Sequence, residues 1–402
     1  MKVLFYNHTG QVSGAERVML MILSGIDRNK FQASVICPKL GDLTGLAEDI
    51  GVPVINVELL EARFTWRPDR LIQYLASFFE VIMKLRRVIM QAEPDLIHAN
   101  TIRAGLVATT ATLGTRIQVI WHLHDMLPRH PLSTLIRWYA TISPRTNLLA
   151  ISWAVAHRFR GGALRLINGC RKIQVIHNGI DLKRFIADPG ARQKVRDEFK
   201  LAEGTFVIGI VGQITPRKGQ LELIRAFARI VHQIPRSRLV VVGAPLFNND
   251  HEYLLKIKQA AEDLKISDRV IFTGARSDVP VIMCALDLLV LNSKIEPLGL
   301  VVLEAMVCGT PVLATAVDGV PELMNHKVTG WLVSAGNEKQ LAESIITLGN
   351  NWRLRNGLAE NARRNVVSGF SKEKYLWLVE NYYKQVCRPS RALVDGGLAV
   401  ER

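Results

Sequence analysis

Residues 287–315, DLLVLNSKIEPLGLVVLEAMVCGTPVLAT, settle the fold class. The run LLVL is apolar at every position, and Asn292 and Ser293 end it. Pro297 and Gly299 then mark a turn, residues 300–308 form a largely apolar helix, and PVLAT starts a second apolar run. A strand that is apolar on both faces needs cover on both faces, and a parallel sheet layered between helices supplies it. Within this strand–turn–helix–strand unit, Glu296 stands just before the helix and Glu304 inside it, with apolar neighbours on nearly every side. Carboxylates are costly to bury without partners, so their positions ask for a chemical reason.

The same alternation runs along the whole chain. In the first half VLFYN, ASVIC, VPVINV, DLIHA, QVIWH, NLLAIS and IQVIHN read as strands, with amphipathic segments between them at 15–27, 69–91 and 152–160. The second half restarts with FVIGIVG, RLVVVG, RVIFTG, DLLVLN, PVLAT and GWLVS. Two such series predict an α/β protein of two doubly wound, Rossmann-like domains facing across a cleft. The polar stretch DPGARQKVRDEFKLAEG (188–204) supplies the boundary. Residues 1–187 then form the first domain, 188–370 the second, and 371–402 a crossover helix and tail returning to the first. Helices are expected at 337–350, 352–367 and 371–386, the last with a sticky face of Tyr375, Trp377, Leu378, Tyr382 and Tyr383.

The 402 residues are 49% hydrophobic and 22% charged, enough apolar material for two cores. The formal charge of +15 points to an anionic partner: a nucleic acid, an acidic lipid surface or a phosphorylated ligand. Five scattered cysteines with no C-x-x-C pair argue against a disulfide framework or a zinc site and suit buried thiols in a reducing compartment. MKVLFYNHTG turns polar at Asn7 and reads as a first strand, not a signal peptide. No uninterrupted apolar run is long enough to span a membrane.

In open parallel sheets ligands bind beyond the carboxyl ends of the strands, so chemistry is sought there. After FVIGIVG comes GQITPRKGQ: Gly212 allows a tight turn, Gln213 follows it, Arg217 and Lys218 add two positive charges, and Gly219 opens a helix at 220–233. Cations beside a helix N-terminus suit a phosphate, although the spacing is not that of a P-loop and solvated surface charges are the plainer alternative. At Gly299, Leu300 and Val301 another helix begins and offers unpaired backbone N–H groups to an anion. Glu304 could then accept hydrogen bonds from sugar hydroxyls. HTGQVSGAERV, with Gly10, Ser13 and Gly14, places a small-residue loop and helix start after the first strand. In VIWHLHDML, His122 and His124 are expected on opposite faces of the chain, with His124 and Asp125 at the strand end toward the cleft. Asn178 and Gly179 of VIHNGID suit a turn with positive φ on the cleft rim. No H-E-x-x-H, D-x-D or third ligand accompanies the histidines, so no metal or cofactor is expected.

Taken together, SGAERV, WHLHD, HNGID, GQITPRKG, VIFTG, EPLGLVVLEAM with CGTPVLAT, and VPELMNHKVTGWLV resemble glycosyltransferase family 4, retaining enzymes of the GT-B fold. The resemblance covers most of the chain and is most specific over 290–333. It implies a hexosyltransferase-like enzyme that moves a sugar from a UDP- or GDP-sugar to a glycan or lipid-linked acceptor, in cell-surface polysaccharide or glycolipid biosynthesis. Arg217 and Lys218 would neutralise the departing diphosphate, Glu296 would bind hydroxyls of the transferred sugar, and Glu304 the ribose. Backbone from Gly299 to Val301 would take the distal phosphate, Gly14 would close over the phosphates, His124 would sit near the anomeric centre or the sugar's far hydroxyl, and Thr273 and Gly274 would line the base pocket. The motifs require no divalent metal, and retention would follow from same-face attack, with the phosphate oxygen taking the acceptor's proton. The chain departs from the family pattern at Gln213, where many relatives have Arg, at Leu298, often Phe, at Ser13, often Gly, and in VDGVPEL, which is less glycine-rich.

Residues 126–175 contain eight basic residues and no acid. There Arg137, Arg145, Arg158, Arg160 and Arg165 interleave with Leu135, Trp138, Trp153 and Leu166, a composition suited to an anionic membrane surface as well as to ordinary helices with a solvated basic face. The expected location is therefore cytoplasmic, peripheral on the inner face of the plasma membrane. No nucleic-acid module is evident. A sugar-nucleotide epimerase or hydrolase, and a non-catalytic sugar-nucleotide binder, are the alternative readings.

Overall fold

A computed structural model describes residues 1–57, 68–161, 173–185, 189–246 and 248–388. Seven strands make the first sheet: β1 (Lys2–Tyr6), β2 (Gln32–Pro38), β3 (Val54–Val57), β4 (Leu96–Ala99), β5 (Gln118–Leu123), β6 (Thr146–Ala150) and β7 (Ile173–Val175). Six make the second: β8 (Phe206–Val211), β9 (Ser237–Val242), β10 (Val270–Gly274), β11 (Leu288–Leu291), β12 (Val312–Thr315) and β13 (Trp331–Val333). Every strand read from the apolar runs is present, and every pairing within the two sheets is parallel. The chain is thus α/β, with two Rossmann-like units.

The helices are α1 (Gly14–Gly25), α2 (Leu43–Asp49), α3 (Pro68–Ala92), α4 (Ile102–Ala111), α5 (Pro131–Ile142), α6 (Trp153–Arg160) and α7 (Pro189–Glu198). There follow α8 (Gln220–Ile230), α9 (Asn248–Asp263), α10 (Val279–Ala285), α11 (Leu300–Val307), α12 (Glu338–Asn350), α13 (Trp352–Gly369) and α14 (Lys372–Cys387).

Unit 1 comprises Met1–Ile151, Ala156–Ile176 and the chain from Tyr375 onward. Its strand order is β3-β2-β1-β4-β5-β6-β7, so the direction of winding reverses between β1 and β4. Right-handed crossovers then put α1 and α2 on one face and α3, α4 and α5 on the other. Neighbouring residues of β5 show the two faces: the Trp121 indole donates to Thr109 Oγ1 of α4 at 2.8 Å, whereas His122 lies on the side covered by α14. Tyr375, Leu376, Val379, Tyr382 and Tyr383 form the buried face of α14. Trp377 is instead exposed, because the burying stripe falls one residue to its N-terminal side and two to its C-terminal side.

Unit 2 comprises Ser152–Val155 and His177–Lys374. Its order is β10-β9-β8-β11-β12-β13, with the reversal between β8 and β11. Its core centres on Ile208, Ile210, Leu223, Phe227, Leu239, Leu288 and Leu313. The polar stretch 188–204 is not an open linker. It forms α7, whose Arg192 pairs with Asp287 at 2.6 Å and whose Arg196 donates to Thr205 O at 2.7 Å. Asp287 also accepts from Val207 N, so one carboxylate ties α7 to two adjacent strands.

Asn178 and Gly179 do not adopt positive φ. The segment stays extended because Ile180 bridges Ser371, donating to Phe370 O and accepting from Lys372 N. Four described cysteines are free thiols, with Cys37 and Cys308 buried; Cys170, Arg165, Leu166 and the tail after Pro389 lie outside the described residues. No described helix is long and apolar enough to cross a membrane.

Candidate active site

The winding reversal in each unit opens a crevice at the carboxyl ends of two adjacent strands whose loops part to opposite sides. In unit 2 those strands are β8 and β11, and both carry predicted site residues into that space. Gly212 follows β8, and a 3-10 turn at Pro216–Lys218 leads to Gly219, which begins α8 at φ 69°. A Cβ at Gly219 would lie 2.2 Å from Asn292 O, so glycine is required by both backbone conformation and space. Asn292 donates to Gly219 O at 2.9 Å, pinning the basic turn to the end of β11.

The result is a close pair that neither segment shows alone: Lys218 Nζ lies 2.5 Å from Glu296 Oε2, with the two side chains only 14% and 9% exposed. Ser293 Oγ donates to the same carboxylate oxygen at 2.9 Å, and Glu296 N donates to Asp318 at 2.9 Å. Arg217 is more open and donates to Ile295 O at 3.1 Å. Gly299, at φ 96°, starts α11, so the first-turn N–H groups at Leu300 and Val301 lie beside the Glu296 loop. Glu304 is half-buried further along α11. Leu298 is buried. Gln213 donates to Asp250 Oδ2 at 2.7 Å, which commits the side chain standing where many relatives have Arg. Thr273 and Gly274 end β10, two strands from the reversal, with the Thr273 hydroxyl donating to Gly274 O.

In unit 1 the reversal lies between β1 and β4, and polar side chains fill it. Asn100 donates to Asn7 Oδ1 at 3.2 Å, and Asn7 donates to Glu16 Oε1 at 3.1 Å. Glu16 is buried, and its other oxygen accepts from Ser13 N at 2.9 Å and Ser13 Oγ at 2.5 Å. The Ser13–Gly14 helix start is therefore held by a carboxylate absent from the predicted set. Its signature was S-x-x-E, the capping-box spacing in SGAE. A Cβ at Gly14 would meet nothing within 4 Å, leaving open space above the helix start.

His122 and His124 share a face, with ring centroids 3.9 Å apart. The expectation of opposite faces is corrected by the period of two: residues i and i+2 of a strand point the same way. The row continues inward, with His122 Nδ1 3.1 Å from His98 Nε2 and His98 Nδ1 2.6 Å from the Tyr383 hydroxyl. Burial lowers the basicity of His98 and His124 to pKa values of about 3, and that of His122 well below its ordinary value. All three are neutral at pH 7. The Nε2 atoms of His122 and His124 are buried without a hydrogen-bond partner. Asp125, just beyond, is exposed. Among the described residues no three His, Cys, Asp or Glu side chains cluster to hold a metal ion.

Comparison with known proteins places this arrangement. Residues 12–184 match the model of Glycosyltransferase Family 4, and residues 191–365 that of Glycosyl transferases group 1. The N-acetyl-alpha-D-glucosaminyl L-malate synthase of Bacillus anthracis is 28% identical over 327 residues, 79% of this chain and 82% of that protein. The Escherichia coli UDP-Gal:alpha-D-GlcNAc-diphosphoundecaprenol alpha-1,3-galactosyltransferase is 23% identical over 92% of this chain and 94% of its own. Among solved structures, Anabaena HepE in complex with UDP and glucose is 29% identical and superposes with a TM-score of 0.81, covering 96% of this chain and 99% of that one. HepE has also been solved with UDP-glucose, with the same TM-score and identity. With both halves matched and the fold shared across nearly its whole length, the chain is a GT-B glycosyltransferase belonging to glycosyltransferase family 4 and the group 1 glycosyl transferases.

Proposed function

We propose that this glycosyltransferase transfers a hexose from a UDP-sugar, with retention of anomeric configuration, to a glycan or lipid-linked acceptor in cell-surface polysaccharide or glycolipid synthesis. The observation that carries the reading is the buried Lys218–Glu296 pair at the β8–β11 reversal of unit 2. Without donor the two charges satisfy one another. A diphosphate arriving beside Arg217 and Lys218 gives the ammonium a second anion, and the Glu296 carboxylate can then accept hydrogen bonds from the sugar. As the glycosidic bond breaks, negative charge grows on the diphosphate, and fixed cations stabilise that state more than the ground state. We assign Glu304 to the ribose, the start of α11 to the distal phosphate, and the ends of β8 and β10, at Gly212, Thr273 and Gly274, to the nucleotide.

The UDP preference is supported by the HepE complexes, which hold UDP and UDP-glucose. We assign the acceptor to unit 1, keep the Gly14 helix start for the donor phosphates, and place the neutral imidazole of His124, which binds hydroxyls without adding charge, near the anomeric centre or a sugar hydroxyl. The motifs call for no metal, because Arg217 and Lys218 supply the positive charge.

The test is a panel of UDP- and GDP-sugars scored by thermal shift, followed by transfer assays with the donor that binds and by NMR of the product's anomeric proton. A bound donor raises the melting temperature. Lys218→Gln, and Lys218→Gln with Glu296→Gln to avoid leaving a lone buried carboxylate, are expected to lower kcat by about 10²–10³-fold. Undiminished transfer in either variant, or in Glu304→Ala, overturns the site assignment. Donor cleavage at the same rate with and without acceptor identifies a hydrolase instead.

A further inference from the structure

We propose that the α3–α4–α5 face of unit 1 docks on an anionic lipid surface, with α5 lying in the plane of the interface. Exposed Leu132, Leu135, Trp138 and Ile142, at 37%, 61%, 52% and 51% accessibility, follow the helical period along one side of α5. A helix of a globular unit normally buries such a stripe. Here α5 turns the opposite side inward, where Ser133, Arg137 and Ala140 are buried. Arg137 is thus not part of the basic surface expected from sequence. Its guanidinium donates to Phe159 O at 2.8 Å and Arg158 O at 3.2 Å, locking α5 onto α6.

The patch continues beyond α5. Tyr139 of α5 bonds Thr110 of α4 at 2.9 Å, and Arg86 of α3 donates to Ala111 O and Leu113 O at the end of α4. The three helices therefore lie side by side, and exposed Leu113, Phe79, Met83 and Met90 extend the apolar surface.

Charge identifies the occupant. From Leu96 to Arg145, through α4 and α5, the sequence carries five Arg against one acid, Asp125, and on α3 the exposed Glu80 is paired with Lys84. Arg103, Arg116 and Arg129 are exposed, and Arg145 is half-exposed just past the end of α5. A stripe of large apolar side chains on a face with an excess of cations matches the boundary between acyl chains and anionic headgroups. The inference deepens the proposed function and rests on its lipid-linked acceptor: a face bound to the bilayer would bring unit 1 to where that acceptor resides.

The experiment is sedimentation of the full chain with phosphatidylcholine vesicles, with or without about 30% phosphatidylglycerol. Binding should be at least about ten-fold tighter to the anionic vesicles and should fall in 0.5 M salt. Leu135→Glu with Trp138→Glu should weaken it about ten-fold or more, with an unchanged melting temperature. Trp377→Glu, at a still more exposed tryptophan on the helix covering the opposite face of the same sheet, should bind as wild type. The proposal is overturned if the wild type fails to bind, prefers neither vesicle, or loses nothing in the α5 variant. It is also overturned if the wild type is a dimer in solution that the α5 variant dissolves, without vesicle binding, which would make the stripe a contact between copies. The UDP-sugar thermal shift is read separately, so neither result can be mistaken for failure of the proposed activity.

Discussion

Acidification should loosen unit 1 through its histidine row, by an amount that can be worked out. His98, His122 and His124 are buried and neutral, and burial holds their folded-state pKa values far below the ordinary 6.5. The unfolded chain takes up these protons near pH 6.5 and the folded chain does not. Because the folded pKa values are depressed, stability is complete above pH 6.5 and is lost as pH falls toward them. Each pH unit in that window costs about 1.4 kcal/mol per histidine. Between pH 7 and pH 5 the loss is about 2 kcal/mol each for His98 and His124, with His122 adding in the same direction, a large part of a typical domain's 5–15 kcal/mol. Most carboxylates titrate below this range, so the histidines dominate it. Hydrogen exchange read by mass spectrometry on peptides covering β4 and β5 reports unit 1 by itself. Protection there should decline steeply from pH 6.5 to 5 after correction for the intrinsic exchange rate. His98→Gln, which keeps a polar partner for Tyr383, should reduce the slope by about 1.4 kcal/mol per pH unit. An unchanged slope in that variant, or a flat profile in the wild type, would refute the claim that these imidazoles stay neutral in the folded state.

Two further outcomes test the scaffolding of the candidate site. Gly219→Ala should lower the melting temperature and abolish the donor-induced shift, because a Cβ meets Asn292 O at 2.2 Å in a left-handed conformation that costs an L-residue about 1–2 kcal/mol before the clash is counted. Glu16→Ala should cost about 1–3 kcal/mol in chemical denaturation by removing the buried acceptor of Ser13 and Asn7, while Glu16→Gln should recover part of it; equal stability of Glu16→Ala and wild type would show that the α1 start needs no carboxylate.

Legibility followed the range of the interaction. Strands were legible because their signal is local: all thirteen stand where a short apolar run ends in a polar residue or glycine. The glycine turns at Gly219 and Gly299 were legible for the same reason, since a tight turn into a helix leaves a residue-level mark. The faces of His122 and His124 were also present in the sequence and follow from strand periodicity. Helix α7 was hidden in the polar boundary stretch, because the partner that fixes Arg192 and Arg196, Asp287, lies about ninety residues away. Glu16 was legible only as a capping spacing; its burial depends on Asn7, which the end of β1 brings to it.

Lys218 and Glu296 are 78 residues apart in the chain, and no local pattern says that they touch. Their meeting follows from strand order: β11 returns to the side of β8, after β9 and β10 have extended the sheet the other way. This reversal also changes the meaning of Gln213. With an arginine there, the crevice would hold three cations near one end of β8. Here Gln213 donates to Asp250, Lys218 is matched by Glu296, and Arg217 meets a carbonyl, with no acid paired to it among the described residues. On the proposed function, the charge first available to an incoming diphosphate is therefore that of Arg217, and when the diphosphate also engages Lys218, Glu296 is freed to turn to the sugar. On the same reading, donor recognition and positioning of the sugar are coupled through that one ion pair.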